Sequence, residues 1–236
     1  MSRALFAILV FLAVPALAGE RLTVVELFTS QGCPNCPPAQ AVFEEVAAAD
    51  DVLALTWAVD YWDFMGWRDT FAAPGHVERQ RAYNDRFGEP GVYTPEVVID
   101  GRREMVGSHR AEVMAALAQL RRSLRADFSV ELSEEGIFCI ASLPAATPPR
   151  PLTLRAVWYK SVDEVEVTRG ENAGRHLVFH NVVKAARVVG VWTGEEVHFR
   201  FPVEPPGTID ADHLAILLED GEAGPIYGAA VMALES

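Results

Sequence analysis

The chain has 236 residues, 33 acidic and 20 basic side chains, a net charge of -13 and three cysteines. The acidic balance argues against nucleic acid or an anionic membrane as partner, because a phosphate-binding surface needs clustered Lys and Arg. Three cysteines are too few for a disulfide scaffold; they allow one close pair, Cys33 with Cys36, and leave Cys139 alone.

The first segment reads as a leader. Arg3 precedes an apolar run over Ala4 to Val14, Pro15 breaks it, and "ALA" at 16–18 supplies the small residues of a cleavage site. Residues 1–18 are therefore expected to be a signal peptide cleaved near Ala18, which places the mature protein in a bacterial periplasm or outside the cell. No later stretch has the ~18 unbroken apolar residues of a membrane span.

From there, strand-like and helix-like segments alternate. "RLTVVELFT" (Arg21 to Thr29) is rich in β-branched residues, and "AQAVFEEVAAA" (Ala39 to Ala49) sets Val42, Phe43 and Val46 on one helical face. "VLALTWAV" (Val52 to Val59) has the unbroken apolar character of a strand buried on both faces. "HVERQRAYNDRF" (His76 to Phe87) reads as an amphipathic helix and "PEVVIDG" (Pro95 to Gly101) as a strand entering a turn. The segment His109 to Arg125 reads as a helix with Val113, Leu117, Leu120 and Leu124 inward. This order predicts an α/β domain over residues 19–125.

After Arg125 the pattern changes to short alternating runs between Gly, Pro and Asp turns. "DFSVELSEEGIFCIASL" reads as a hairpin, and further strands fall on "LTLRAVWY", "HLVFHNVVKAARVVGVW", "EEVHFRF" and "HLAILLEDGEAGPIYGAAVMAL". Residues 126–236 are expected to form a smaller all-β, antiparallel sandwich-like domain.

The chemistry gathers in "TSQGCPNCPPAQ" (Thr29 to Gln40), between the first strand and the first helix. A Cys at a helix start faces unpaired N–H groups and the positive end of the helix dipole, so Cys33 is expected to be the more acidic and exposed sulfur. Cys36 would then resolve a mixed disulfide formed at Cys33. A zinc half-site and an inert structural disulfide compete with this reading. Zinc needs two further ligands, and Cys139 is alone while the six His are scattered. Pro37 and Pro38 follow Cys36 where a helix interior would lose hydrogen bonds, so either the helix restarts there or its first turn is distorted.

"VVELFTSQGCPNCPPA", "VDYWDFMGWRD", "YTPEVVIDGRREMVGS" and "RGENAGRHLVFHNVV" together resemble a family of secreted bacterial proteins of unknown function with a thioredoxin-like domain. The resemblance implies three further roles. Pro95 matches the proline with a cis preceding peptide bond, and Thr94 would present backbone to an extended substrate. Glu26 matches a buried acid beneath the cysteines, able to take a proton from Cys36, against the alternatives that it lies at an exposed edge or pairs with an Arg. Independently of the resemblance, the loop after the second buried strand lies where ligand sites gather in open α/β sheets, so Tyr61, Trp62 and Trp67 either frame a substrate groove or are satellite core.

The reading that follows is an exported thiol–disulfide oxidoreductase acting on protein or small-molecule thiols and disulfides, with no dissociable cofactor and no bound metal. A binding or adaptor protein with a static disulfide, and a periplasmic Cu(I) handler, are the rival classes.

Overall fold

The computed structural model describes residues 22–120, 126, 128–204 and 209–234. The expected signal peptide at 1–18 and Leu124 of the last expected helix lie outside the described residues. In chain order the elements are β1 (Thr23–Thr29), α1 (Pro37–Ala47), β2 (Val52–Ala58), a short 3-10 turn (Asp63–Met65), α2 (His76–Phe87), β3 (Glu96–Ile99), β4 (Arg103–Val106) and α3 (Arg110–Leu120). There follow β5 (Ser129–Leu132), β6 (Phe138–Leu143), β7 (Leu152–Val167), β8 (Arg175–Trp192), β9 (Val197–Pro202), β10 (His213–Glu219) and β11 (Ile226–Ala233). Among the described residues no helix is long and apolar enough to cross a membrane.

Eight strands form one mixed sheet in the order β11-β10-β7-β8-β2-β1-β3-β4, and β5-β6-β9 form a second, antiparallel one. Every residue of β1 and β2 is buried because both sheet faces are covered there. On one face α1 and α3 bring Val42, Phe43, Val46, Val113 and Leu117 against Val25, Leu27, Val97 and Ile99. On the other, Val77 and Tyr83 of α2 join Val24, Phe28, Trp57 and Val98.

The strands after residue 125 form an antiparallel half, β11-β10-β7-β8, faced by the small β5-β6-β9 sheet, consistent with a β domain, but this half is continuous with the first sheet. Four of them extend the first sheet, through a parallel contact in which Thr56 of β2 pairs with Val182 of β8. The Thr56 hydroxyl donates to the His180 carbonyl at 2.7 Å. The small sheet covers the antiparallel half, packing Cys139, Ala141, Leu143 and Phe201 against Leu152, Leu154, Trp158, Leu214 and Ile216. Each strand's local alternation was legible, but the partner of β2's free edge is set 124 residues away and no local pattern encodes it.

The two halves also meet through a buried ion network. Arg79 of α2 is 6% exposed. It donates from Nε to Glu26 of β1 at 2.7 Å and from Nη2 to Glu219 of β10 at 2.9 Å; Nη1 reaches the Glu222 carbonyl at 2.7 Å. Arg155 of β7 pairs with the other side of Glu219, and the Tyr83 hydroxyl donates to Glu26. Two carboxylates thus face two guanidinium groups. Burial works against the charge of Arg79, but Glu219 and Glu26 outweigh it and hold its pKa well above the ordinary value.

Removing the cation leaves Glu26 with only the Tyr83 hydroxyl and Glu219 with only Arg155. Arg79→Ala is expected to lose about 3–5 kcal/mol of unfolding free energy in urea titration. Arg86→Ala, which breaks a surface pair with Asp220 at 3.9 Å, should lose no more than about 1 kcal/mol. Equal losses would show that the buried network carries no special weight.

Candidate functional site

Where β1 ends, the chain turns through Ser30–Cys36, with the Cys33 N–H donating to the Ser30 carbonyl at 3.2 Å and the Cys36 N–H to the Cys33 carbonyl at 3.3 Å. A disulfide joins Cys33 and Cys36. The prolines decide where the helix begins: Cys36 is its N-cap, and Pro37 and Pro38 are its first two residues. There they need no N–H. The same placement removes two of the N–H groups that a helix start would otherwise direct at a neighbouring sulfur.

Cys33 departs from expectation. It lies four residues before the first helical residue, and both sulfurs sit in residues that are 0% exposed. Pro34 and Asn35 form the exposed rim instead. The cover comes from the turn between β7 and β8. Asn172, itself 1% exposed, donates from Nδ2 to the carbonyls of Gln31 and Cys33, each at 2.9 Å. Gly170 has φ +78, and a Cβ there would stand 3.1 Å from the Met65 carbonyl oxygen and from Trp67 Cβ. The turn therefore needs a glycine both for its backbone and for this close approach.

The aromatic loop after β2 is divided in use. Trp67 is structural: its Nε1 donates to Gln31 Oε1 at 2.8 Å, and with Phe71 it packs on Val167, Leu177 and Phe179 of the β7–β8 arm. Tyr61 packs on the main core, where burial pushes its pKa up to about 12. Trp62 faces the disulfide loop. A Cβ on Gly32 would lie 3.3 Å from Trp62 Cβ, and Trp62 Nε1 donates to Thr94 Oγ1 at 2.7 Å. The Thr94–Pro95 bond is cis. Trp62, Thr94 and the Cys33–Cys36 loop are thereby brought together. Asp69 pins the loop from inside, accepting from the N–H groups of Gln31 (2.7 Å), Phe71 (2.9 Å) and Ala72 (3.1 Å). Burial raises its pKa to about 6 against these bonds.

Glu26 is fully buried, but its carboxylate is taken up by Arg79 and Tyr83 on the α2 face of the sheet. The helix that follows Cys36 packs on the opposite face. Glu26 is thus engaged by Arg79 and Tyr83, an arrangement that does not fit a proton carrier for Cys36. Besides Asp69, a second buried acid without a cation is Glu96, directly after Pro95. Gln80 Nε2 donates to its Oε2 at 2.6 Å, its Oε1 has no hydrogen-bond partner, and it forms no ion pair among the described residues. Burial pushes its pKa up to about 7, with Glu104 and Glu89 adding to the rise. A charged residue inside "PEVVI", an otherwise apolar strand, was the available sequence signal. Cys139 lies in the core under the small sheet, where burial raises its thiol pKa to about 12. Among the described residues no three His, Cys, Asp or Glu side chains are grouped to hold a metal ion.

The family model described as "Protein of unknown function (DUF1223)" matches residues 24–219, and the chain belongs to that family. The X-ray crystal structure of protein AGR_C_4864 from Agrobacterium tumefaciens is similar over 93% of this chain and 97% of that one, with 26% identity and a TM-score of 0.78. HBP35 of Porphyromonas gingivalis shares the fold at 15% identity and a TM-score of 0.60, over 92% of this chain and 76% of its own. No match is found among curated proteins.

Glu96 and Asp69 make stability depend on pH in a definite direction. Their ordinary pKa values are 4.5 and 3.8, and the fold raises them to about 7 and about 6. The unfolded chain therefore releases these protons first, and the stability they contribute is full below about pH 4 and lost as pH rises to 7. Glu96→Gln, which stays neutral, should remove about 3 kcal/mol of that decline in unfolding titrations between pH 4 and 7.5. An unchanged slope would mean that Glu96 does not hold its proton in the fold.

Proposed function

We propose that this family member is an exported thiol–disulfide oxidoreductase with a thioredoxin-like arrangement, in which Cys33 and Cys36 exchange electrons with partner thiols. The observation that carries the reading is the Cys33–Cys36 disulfide at a strand-to-helix junction, linked through Trp62 to the cis Thr94–Pro95 segment. A partner thiolate attacks the Cys33 sulfur, the bond to Cys36 breaks, and Cys36 leaves as a thiolate that takes a proton from solvent. A second partner thiol then displaces Cys33. The partner leaves as a disulfide, and two electrons reside in the Cys33–Cys36 dithiol. The reverse sequence reduces a partner disulfide. Trp62 and Thr94 hold the loop in place, while the cis proline turns Thr94 toward an incoming chain. The apolar leader supports export, and an oxidising compartment suits a persistent disulfide.

The prolines bear on direction. Thiolates are stabilised by helix N–H groups, and the first two helical positions here have none to give. The dithiol is then the less stabilised form, which favours the pair as an electron donor of low potential.

Complete burial of both sulfurs favours a second reading, a static disulfide that braces a binding protein. Reduction kinetics separate the two. With Asn172→Ala the two hydrogen bonds over the loop are lost, at about 1 kcal/mol each, so reduction by dithiothreitol should quicken by roughly tenfold or more. Cys33→Ser should abolish exchange with a disulfide substrate. A disulfide that resists excess dithiothreitol in the native Asn172→Ala protein would establish the bracing role.

A further inference from the structure

The most exposed large apolar side chain among the described residues is Phe64, at 79%. It sits on the 3-10 turn Asp63–Met65, which begins immediately after Trp62 and ends at Gly66 in a left-handed conformation. The turn is tied down by the Met65 N–H to the Trp62 carbonyl at 2.9 Å and the Gly66 N–H to the Asp63 carbonyl at 3.2 Å. The Asp69 N–H donates to Asp63 Oδ1 at 2.9 Å. Phe64 stacks on Trp62 with ring centroids 6.3 Å apart and planes 14° apart. An aromatic ridge is thus held rigid in water, beside the loop that carries the disulfide.

Two acidic clefts adjoin this region. One, of about 400 Å³, is lined by Asp60, Asp63, Asp69 and Glu78 against Arg68 and Arg81. It adjoins the ridge through Asp63. The other, of about 470 Å³, is lined by Glu89, Glu104 and Glu112, with His109 and Tyr93. It adjoins Thr94, which receives the Trp62 hydrogen bond.

We infer that this surface binds an extended, cationic polypeptide segment, whose apolar side chain packs on Phe64 and Trp62 while flanking Lys or Arg residues enter the two clefts. The occupant follows from charge. A second copy of a chain with net charge -13 would be repelled, and so would nucleic acid, whereas Lys and Arg gain both the carboxylates and a cation–π face. A preformed ridge binds without ordering costs of its own. The inference names the partner class for the oxidoreductase proposed above, and to that extent rests on it, but binding does not require exchange and is measured apart from it.

The test uses a fluorescent, cysteine-free peptide of alternating Lys and Leu, and its counterpart with Glu in place of Lys, titrated with the oxidised protein. The Lys peptide should bind, weakening about tenfold between 50 and 300 mM salt, and the Glu peptide should not. Phe64→Ser, at a solvent-exposed position, should weaken the Lys peptide about tenfold. Glu78→Gln with Glu89→Gln should flatten its salt dependence. Equal affinity for both peptides, no binding of either, or full affinity in Phe64→Ser overturns the inference. So does a concentration-dependent dimer in sedimentation that Phe64→Ser abolishes, because the ridge would then belong to a copy–copy interface. Dithiothreitol reduction of the same samples reports on the redox reading alone, so either can fail without the other.

Discussion

The guanidinium of Arg79 is placed where burial would forbid a lone charge, and the surrounding chain is arranged to satisfy it. Its partners come from β1, from β10 and from the Glu222 carbonyl that follows β10. Two aromatic faces, Trp57 and Tyr83, close over it at 5.1 and 5.0 Å. Any register in which β10 failed to deliver Glu219 would leave an unpaired charge, at a cost of several kcal/mol. Apolar packing alone is far more permissive about which neighbour fills a space. The network therefore fixes how the late strands join the early sheet.

That constraint reaches the disulfide through α2. Arg79 anchors the helix, and the residues beside and one turn beyond it hold the segment that ends in the cis proline. Gln80 Nε2 donates to the Tyr93 carbonyl at 2.7 Å and Asn84 Nδ2 to the Gly91 carbonyl at 2.9 Å. From the other side, the β7–β8 arm delivers Asn172 to the cysteine loop and is itself seated on Trp67 and Phe71. The site is built by the N-terminal cysteine segment together with a turn from the last third of the chain.

How much of this was legible depended on the range of the interaction. Local rules marked β1, β2, α2 and the β5–β6 hairpin, because burial on one or two faces leaves periodic traces in the sequence. The cysteine pair and "YTPEV" stood out by residue type. What could not be read were contacts across long separations: the β2–β8 junction, Asn172 at the Cys33 loop, and which arginine engages Glu26. A buried Glu in a strand looks the same whether a thiol or an arginine waits beside it. The prolines were ambiguous for a different reason, since a shift of the helix start by a few residues is a small change of boundary that alters what faces the sulfur.

Asn172 stands 139 residues beyond Cys33 in the chain, and a polypeptide is made from its N-terminus. For the interval in which β7 and β8 do not yet exist, the cysteine loop has no roof, and its sulfurs meet whatever oxidant or thiol surrounds the nascent chain. Completion of the C-terminal strands then shuts the loop beneath a side chain that belongs to them. The setting of the cysteine pair thus reports finished assembly: a molecule that lacks or misplaces its last strands loses the two Asn172 hydrogen bonds that hold the loop.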